Sequence, residues 1–228
     1  MGEEKFKILL DRSAAFHAAV HTHARTLVPF DEDRSRIAFQ AGLLSLEHAA
    51  GVVALLQVDL FPSAYALMRP QYESLVRGIW LLHAASAAWI EKISEPLTQD
   101  SAKRANEGPM LAEMLKGLEA SDTALQPIVE QLKAYRDVTW KALNSYAHGG
   151  LHPLARIRTG YPAQLSYDVV RNSNAVVALT TQLLSILTGD PRHMEVVRSL
   201  HVAYADCLPS LHHASSPRHG GRGPHADL

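Results

Sequence analysis

The chain has 228 residues, 47 % of them hydrophobic, with 22 lysines and arginines against 23 aspartates and glutamates and a formal net charge of −1. This length suits one generous helical domain, and the near-zero charge provides no global field to draw the protein onto phosphate backbones or anionic membranes, so any nucleic-acid contact must come from a local patch. Cys207 is the only cysteine, which excludes an internal disulfide and a cysteine-rich zinc site and suits a reducing cytoplasm.

Residues 3 to 28 place Phe6, Leu9, Leu10, Ala14, Phe16, Val20 and Leu27 at three- and four-residue spacings, the buried stripe of a first helix. Two acids precede the short apolar run of MGEEKFKILLDR, a pattern unlike a signal peptide. After a break at PFDEDRS, a second helix runs from about Arg34 to Leu60. Its small residues Ala38, Ala41, Gly42, Ala49, Ala50 and Gly51 let another backbone approach, which places it at the bundle centre. The apolar stretch AAGVVALLQVDLF within it is too short and too interrupted to span a bilayer, so no membrane contact is expected.

FPSAYALMRPQYESLVRGIWLLHAAS supplies a third helix, and Pro70 inside it predicts a kink near Ala66 to Pro70. Glu95 to Pro109 is polar and reads as a loop with room for one helical turn. Two shorter amphipathic helices follow in MLAEMLKGLEA and LQPIVEQLKAYRDVTWKALNSYAH, the second stopped by Gly149 and Gly150. Leu151 to Ser166, with Pro153, Gly160 and Pro162, reads as irregular. Two last helices lie in SYDVVRNSNAVVALTTQLLSILTG and DPRHMEVVRSLHVAYADCL, the second opening with Asp190 as cap and Pro191 as first helical residue. The expectation is an all-α, single-domain bundle of six to eight helices with a kinked central helix over residues 1–208, and a disordered His-rich tail over 209–228.

Candidate chemistry is confined to two clusters. Arg69, Glu73 and Arg77 are each four residues apart, so two guanidinium groups can flank one carboxylate on one helix face, either as a surface ladder or as a buried polar network. Asn144, Tyr146, His148 and His152 crowd the glycine pair; a histidine at a helix C-terminus suits the macrodipole, and it also suits general acid or base work. If the two helices pack together, Arg69, Glu73 and His148 form one polar cluster. No acid or cysteine stands at ligand spacing beside these histidines, and His17 and His21 lack an HExxH context, so neither metal nor cofactor is expected. Nucleotide-loop and nucleophile-elbow signatures are absent from the sequence.

SAYALMRPQYESLVRGIWLL resembles the helix of a group of uncharacterised bacterial proteins in which an arginine is followed four residues on by a glutamate and then by an aromatic–leucine pair. WKALNSYAHGGLHP resembles their second signature, a short helix ending in serine or asparagine, a histidine and a small residue. The likeness spans roughly residues 40–155, and such proteins are similar in outline to the HEPN superfamily of all-helical bundles, many of them dimeric ribonucleases or partners in toxin and phage-defence systems. The nuclease pattern of that superfamily is an arginine, a polar residue and, after four to six residues, a histidine. His148 matches the histidine, but Lys141 and Ala142 stand where the arginine and polar residue belong, and a lysine point charge does not replace the bidentate fork.

The resemblance therefore implies two functions. The first, favoured by the neutral charge and the missing arginine, is a non-enzymatic interaction or ligand-binding module, a homodimer with an RNA or antitoxin partner. The alternative is a metal-independent ribonuclease toxin in which His148, Arg69 and Glu73 are catalytic, while Arg77, Lys141, Asn144, Tyr146 and His152 line the ligand site.

Overall fold

The computed structural model describes residues 2–96, 98–100 and 108–209. Among them are nine α-helices and no strand: α1 (Glu3–Ala24), α2 (Asp33–Gln57), α3 (Phe61–His83), α4 (Ala87–Ser94), α5 (Leu111–Glu119), α6 (Gln126–Ala147), α7 (Leu151–Thr159), α8 (Ala163–Ile186) and α9 (Pro191–Ala203), followed by a 3-10 turn (Ala205–Cys207). Apolar periodicity anticipates the seven helices other than α4 and α7. Ser86 starts α4 by accepting the Trp89 N–H. α7 occupies much of the stretch expected to be irregular, because Pro153 falls at the third helical position, where the missing N–H has no intrahelical partner to lose. Gln99 and Asp100 are helical within the expected 95–109 loop, and the expected disordered tail lies, from residue 210 onward, outside the described residues.

The most extensive helix pair is α2 with α3, and α8 packs across both. α1 lies against α8 and α2, while α3 also carries α5 and α6. Gly78 on α3 shows why this centre is close-packed: a Cβ there would stand 2.8 Å from Leu183 and 3.1 Å from the Ala38 carbonyl oxygen. α2 as a whole is long and apolar enough to cross a membrane by length and composition, a property the shorter stretch lacks on its own; in this fold twelve of its residues are buried. The α3 helix runs from Phe61 to His83 without interruption through Pro70.

Polar side chains fix the register of these helices. Gln71 on α3 donates to the Ser173 carbonyl on α8 at 2.9 Å and accepts the Ser173 hydroxyl at 2.8 Å, a reciprocal clamp with both residues buried. Tyr72, one residue further on, donates its hydroxyl to the Leu132 carbonyl of α6 at 2.7 Å and stacks on Tyr135 at 4.6 Å. Its burial also raises the Tyr72 phenol well above the ordinary tyrosine range, so it stays a neutral donor. These contacts bring α6 alongside α3 and so position the residues considered next.

Candidate functional site

Where α3 and α6 meet, the pairing is antiparallel: Tyr72 meets Leu132 and Tyr135, Arg69 meets Trp140 and His148, and Tyr65 meets Tyr146. Trp140, Asn144 and His148 are four apart and share one face of α6. That face explains why Arg69 reaches both ends of the row. Its guanidinium carbon sits 5.0 Å above the centre of the Trp140 ring, its Nε donates to Glu73 Oε1 at 3.1 Å, and its Nη1 lies 2.5 Å from His148 Nε2. Since a guanidinium only donates, His148 Nε2 is the acceptor in this contact.

The structure thus brings Arg69, Glu73 and His148 together and adds Trp140, which the sequence reading assigned no role. Arg69 and Glu73 are half-buried, with side chains 23 % and 28 % exposed, whereas His148 is open to solvent. Arg77 is also half-buried, but it makes no ion pair with Glu73; its guanidinium lies beneath Gly108, 3.4 Å from where a Cβ on that residue would stand. The expected carboxylate flanked by two arginines is therefore, among the described residues, a single pair, because Arg77 is turned toward the chain entering α5. Lys141 is exposed on α6 and joins none of these contacts.

The helix end is built by a full glycine cap. Gly149 takes φ +64°, and its N–H bonds to the Tyr146 carbonyl at 3.5 Å, while the Gly150 N–H bonds to the Ser145 carbonyl at 2.7 Å. A Cβ on Gly150 would lie 2.7 Å from Ser145 Oγ and 3.3 Å from Ser145 Cα, so the turn closes only with glycine there. Ser145 Oγ then accepts the His152 N–H at 3.0 Å, supplying a cap to α7 from the preceding helix. This double use of Ser145 was invisible to sequence reasoning, because it depends on a reversal that only the two glycines permit.

His152 is exposed, and its ring tilts over Tyr146 at 6.2 Å. Tyr146 meets Tyr65 edge-on at 5.1 Å, and Tyr161 meets Tyr65 at 5.5 Å, so these residues form an aromatic wall beside the cluster and not a second charged centre. Burial pushes the Tyr146 phenol up to about 12. The Asn144 side-chain oxygen is buried without a hydrogen-bond partner among the described residues. An apolar pocket lined by Ile79, Leu82, His83, Leu125 and Leu183 lies between α3, α6 and α8 and includes none of the candidate residues. No group of three or more histidine, cysteine, aspartate or glutamate side chains arranged to hold a metal ion occurs among the described residues.

A family model described as "Family of unknown function (DUF6988)" matches residues 42–210, a span that includes both helices of the cluster. No curated protein and no solved structure matches the chain.

Proposed function

Because the chain belongs to the DUF6988 family, whose function is unknown, we propose its role from the cluster itself: a non-enzymatic, HEPN-like helical interaction module in which Arg69 braces α3 against α6. The observation that carries this reading is the occupied lone pair of His148. A general base needs that lone pair for a substrate proton, and here Arg69 donates into it while its Nε donates to Glu73 and its plane rests on Trp140. Such a module works by contact, with a second copy of itself or with a small protein or RNA partner of the kind found in toxin and phage-defence systems, and its buried single cysteine suits the cytoplasm.

The second reading is the ribonuclease toxin, and one observation favours it: His148 is solvent-exposed, so displacing Arg69 would free a base at the surface. Expression in bacteria, with growth and RNA integrity followed, separates the two. The module predicts unchanged growth and intact RNA for the wild type and for His148→Ala alike. Growth arrest with RNA cleavage in the wild type, abolished by His148→Ala in a protein that still melts cooperatively, establishes the enzyme instead.

A further inference from the structure

The stretch from Val138 to Tyr167 contains no aspartate or glutamate, yet it carries Lys141, Arg156 and Arg158 together with His148 and His152. At its centre α7 rests mainly on α6 and turns inward on buried Pro153 and half-buried Arg156. Its other side is left bare: Leu151, Leu154 and Ile157 are 82 %, 62 % and 71 % exposed. On a helical wheel these three fall in one arc, and exposed Arg158 projects between Leu151 and Leu154. Both ends of the helix turn on glycines of positive φ, Gly149 and Gly160.

We infer that α7 is a membrane-surface contact, with its aliphatic stripe seated at the headgroup boundary of an anionic bilayer and Arg158 on the lipid phosphates. Charge complementarity selects this occupant. A second copy docked through the same stripe would set Arg158 of one against Arg158 of the other, and like charges repel. Nucleic acid satisfies the cations but has nothing to cover three aliphatic side chains. An anionic bilayer offers both chemistries in one plane, and Arg158 amid the stripe extends to the headgroups while its stem stays among the acyl chains. The net charge of −1 hides this face, because the residues outside 138–167 carry 19 lysines and arginines (22 − 3) against 23 acids. The inference is independent of the role of His148.

The test is flotation of the full-length protein with vesicles of phosphatidylcholine containing about 30 mol % phosphatidylglycerol, compared with pure phosphatidylcholine, at about 0.05 M and about 0.5 M salt. The wild type is expected to float with the anionic vesicles at low salt only. Arg158→Glu reduces partitioning by about tenfold, and Leu154→Ser/Ile157→Ser abolishes it, both at solvent-facing positions. Leu154→Cys carrying a polarity-sensitive dye, in a protein whose own Cys207 is buried, shifts to the blue on anionic vesicles and reports insertion without relying on a loss. Absence of flotation overturns the inference. So does flotation that the variants leave unchanged, or a dimer in free solution that Leu154→Ser/Ile157→Ser dissociates while vesicles are ignored.

Discussion

Two histidines of this bundle, His17 and His148, each make one side-chain hydrogen bond across two helices, and their surroundings give those bonds opposite characters. His17 on α1 is 6 % exposed and lies 2.9 Å from Asn174 Oδ1 on α8, an oxygen that only accepts, so its Nε2 carries the proton. Asn174 spends both its amide hydrogens as well, on Ser13 Oγ at 2.8 Å and the Cys207 carbonyl at 3.1 Å, and Ser13 donates on to Leu9. His148 is exposed, accepts at Nε2, and shares its partner Arg69 with Glu73 and Trp140. A bond in the interior has no water to replace it, whereas the same bond at the surface does. The first network therefore carries stability, and the second sets geometry.

The largest test of this contrast is Asn174→Ala. It leaves His17 and the Cys207 carbonyl unpaired in the interior and takes from Ser13 one of its two partners, and the expected loss is about 3 kcal/mol or more by urea unfolding. A loss below about 1 kcal/mol would erase the distinction between the two clusters.

Acid should act in the same place. Burial holds the His17 imidazole down to about 4, so the folded protein keeps it neutral where the unfolded chain, near the ordinary value of about 6.5, takes up a proton. The unfolded state then binds more protons below that value. Stability is complete above about pH 6.5 and falls as pH drops toward 4, by about 3 kcal/mol for this group. His23, His83 and His201 are shifted downward by burial as well and add to the same trend. Denaturant melts between pH 7 and 4.5, repeated on His17→Gln, check the assignment: the variant should show a visibly shallower decline.

Gly149→Ala probes the frame that holds His148. A side chain at φ +64° costs about 1 kcal/mol, and the α6 terminus that aims His148 at Arg69 should loosen. Amide exchange at Gly149 and Gly150, whose N–H groups close the turn, should accelerate more than exchange in the middle of α6.

The sequence disclosed the helix-rich class and the two motif helices, because apolar spacing and the Gly149–Gly150 stop are local signals. It also implied that Arg69, Glu73 and His148 would meet if α3 and α6 packed together. It did not disclose Trp140 as the ring under Arg69, since a tryptophan on an amphipathic helix reads as core, nor the turn of Arg77 toward Gly108, since four-residue spacing allows a pair without requiring one. The His17–Asn174 bond joins residues 157 apart in sequence, a distance at which no spacing rule operates. α7 escaped because a proline at the third position of a helix carries the same letter as a proline that breaks one.

The smallest expected effect is that of His148→Ala on stability. Its imidazole is exposed, so solvent replaces the bond, and Arg69 keeps both the Glu73 carboxylate and the Trp140 ring. The melt should move by less than about 1 kcal/mol. Arg69→Ala removes the cation that all three neighbours share and should cost more. The coupling between the two positions then decides what the cluster is: if the double variant is no less stable than Arg69→Ala alone, His148 contributes only through Arg69, as a brace requires. Strictly additive losses would mean that His148 makes its contribution elsewhere, and the pairing of α3 with α6 would need another account.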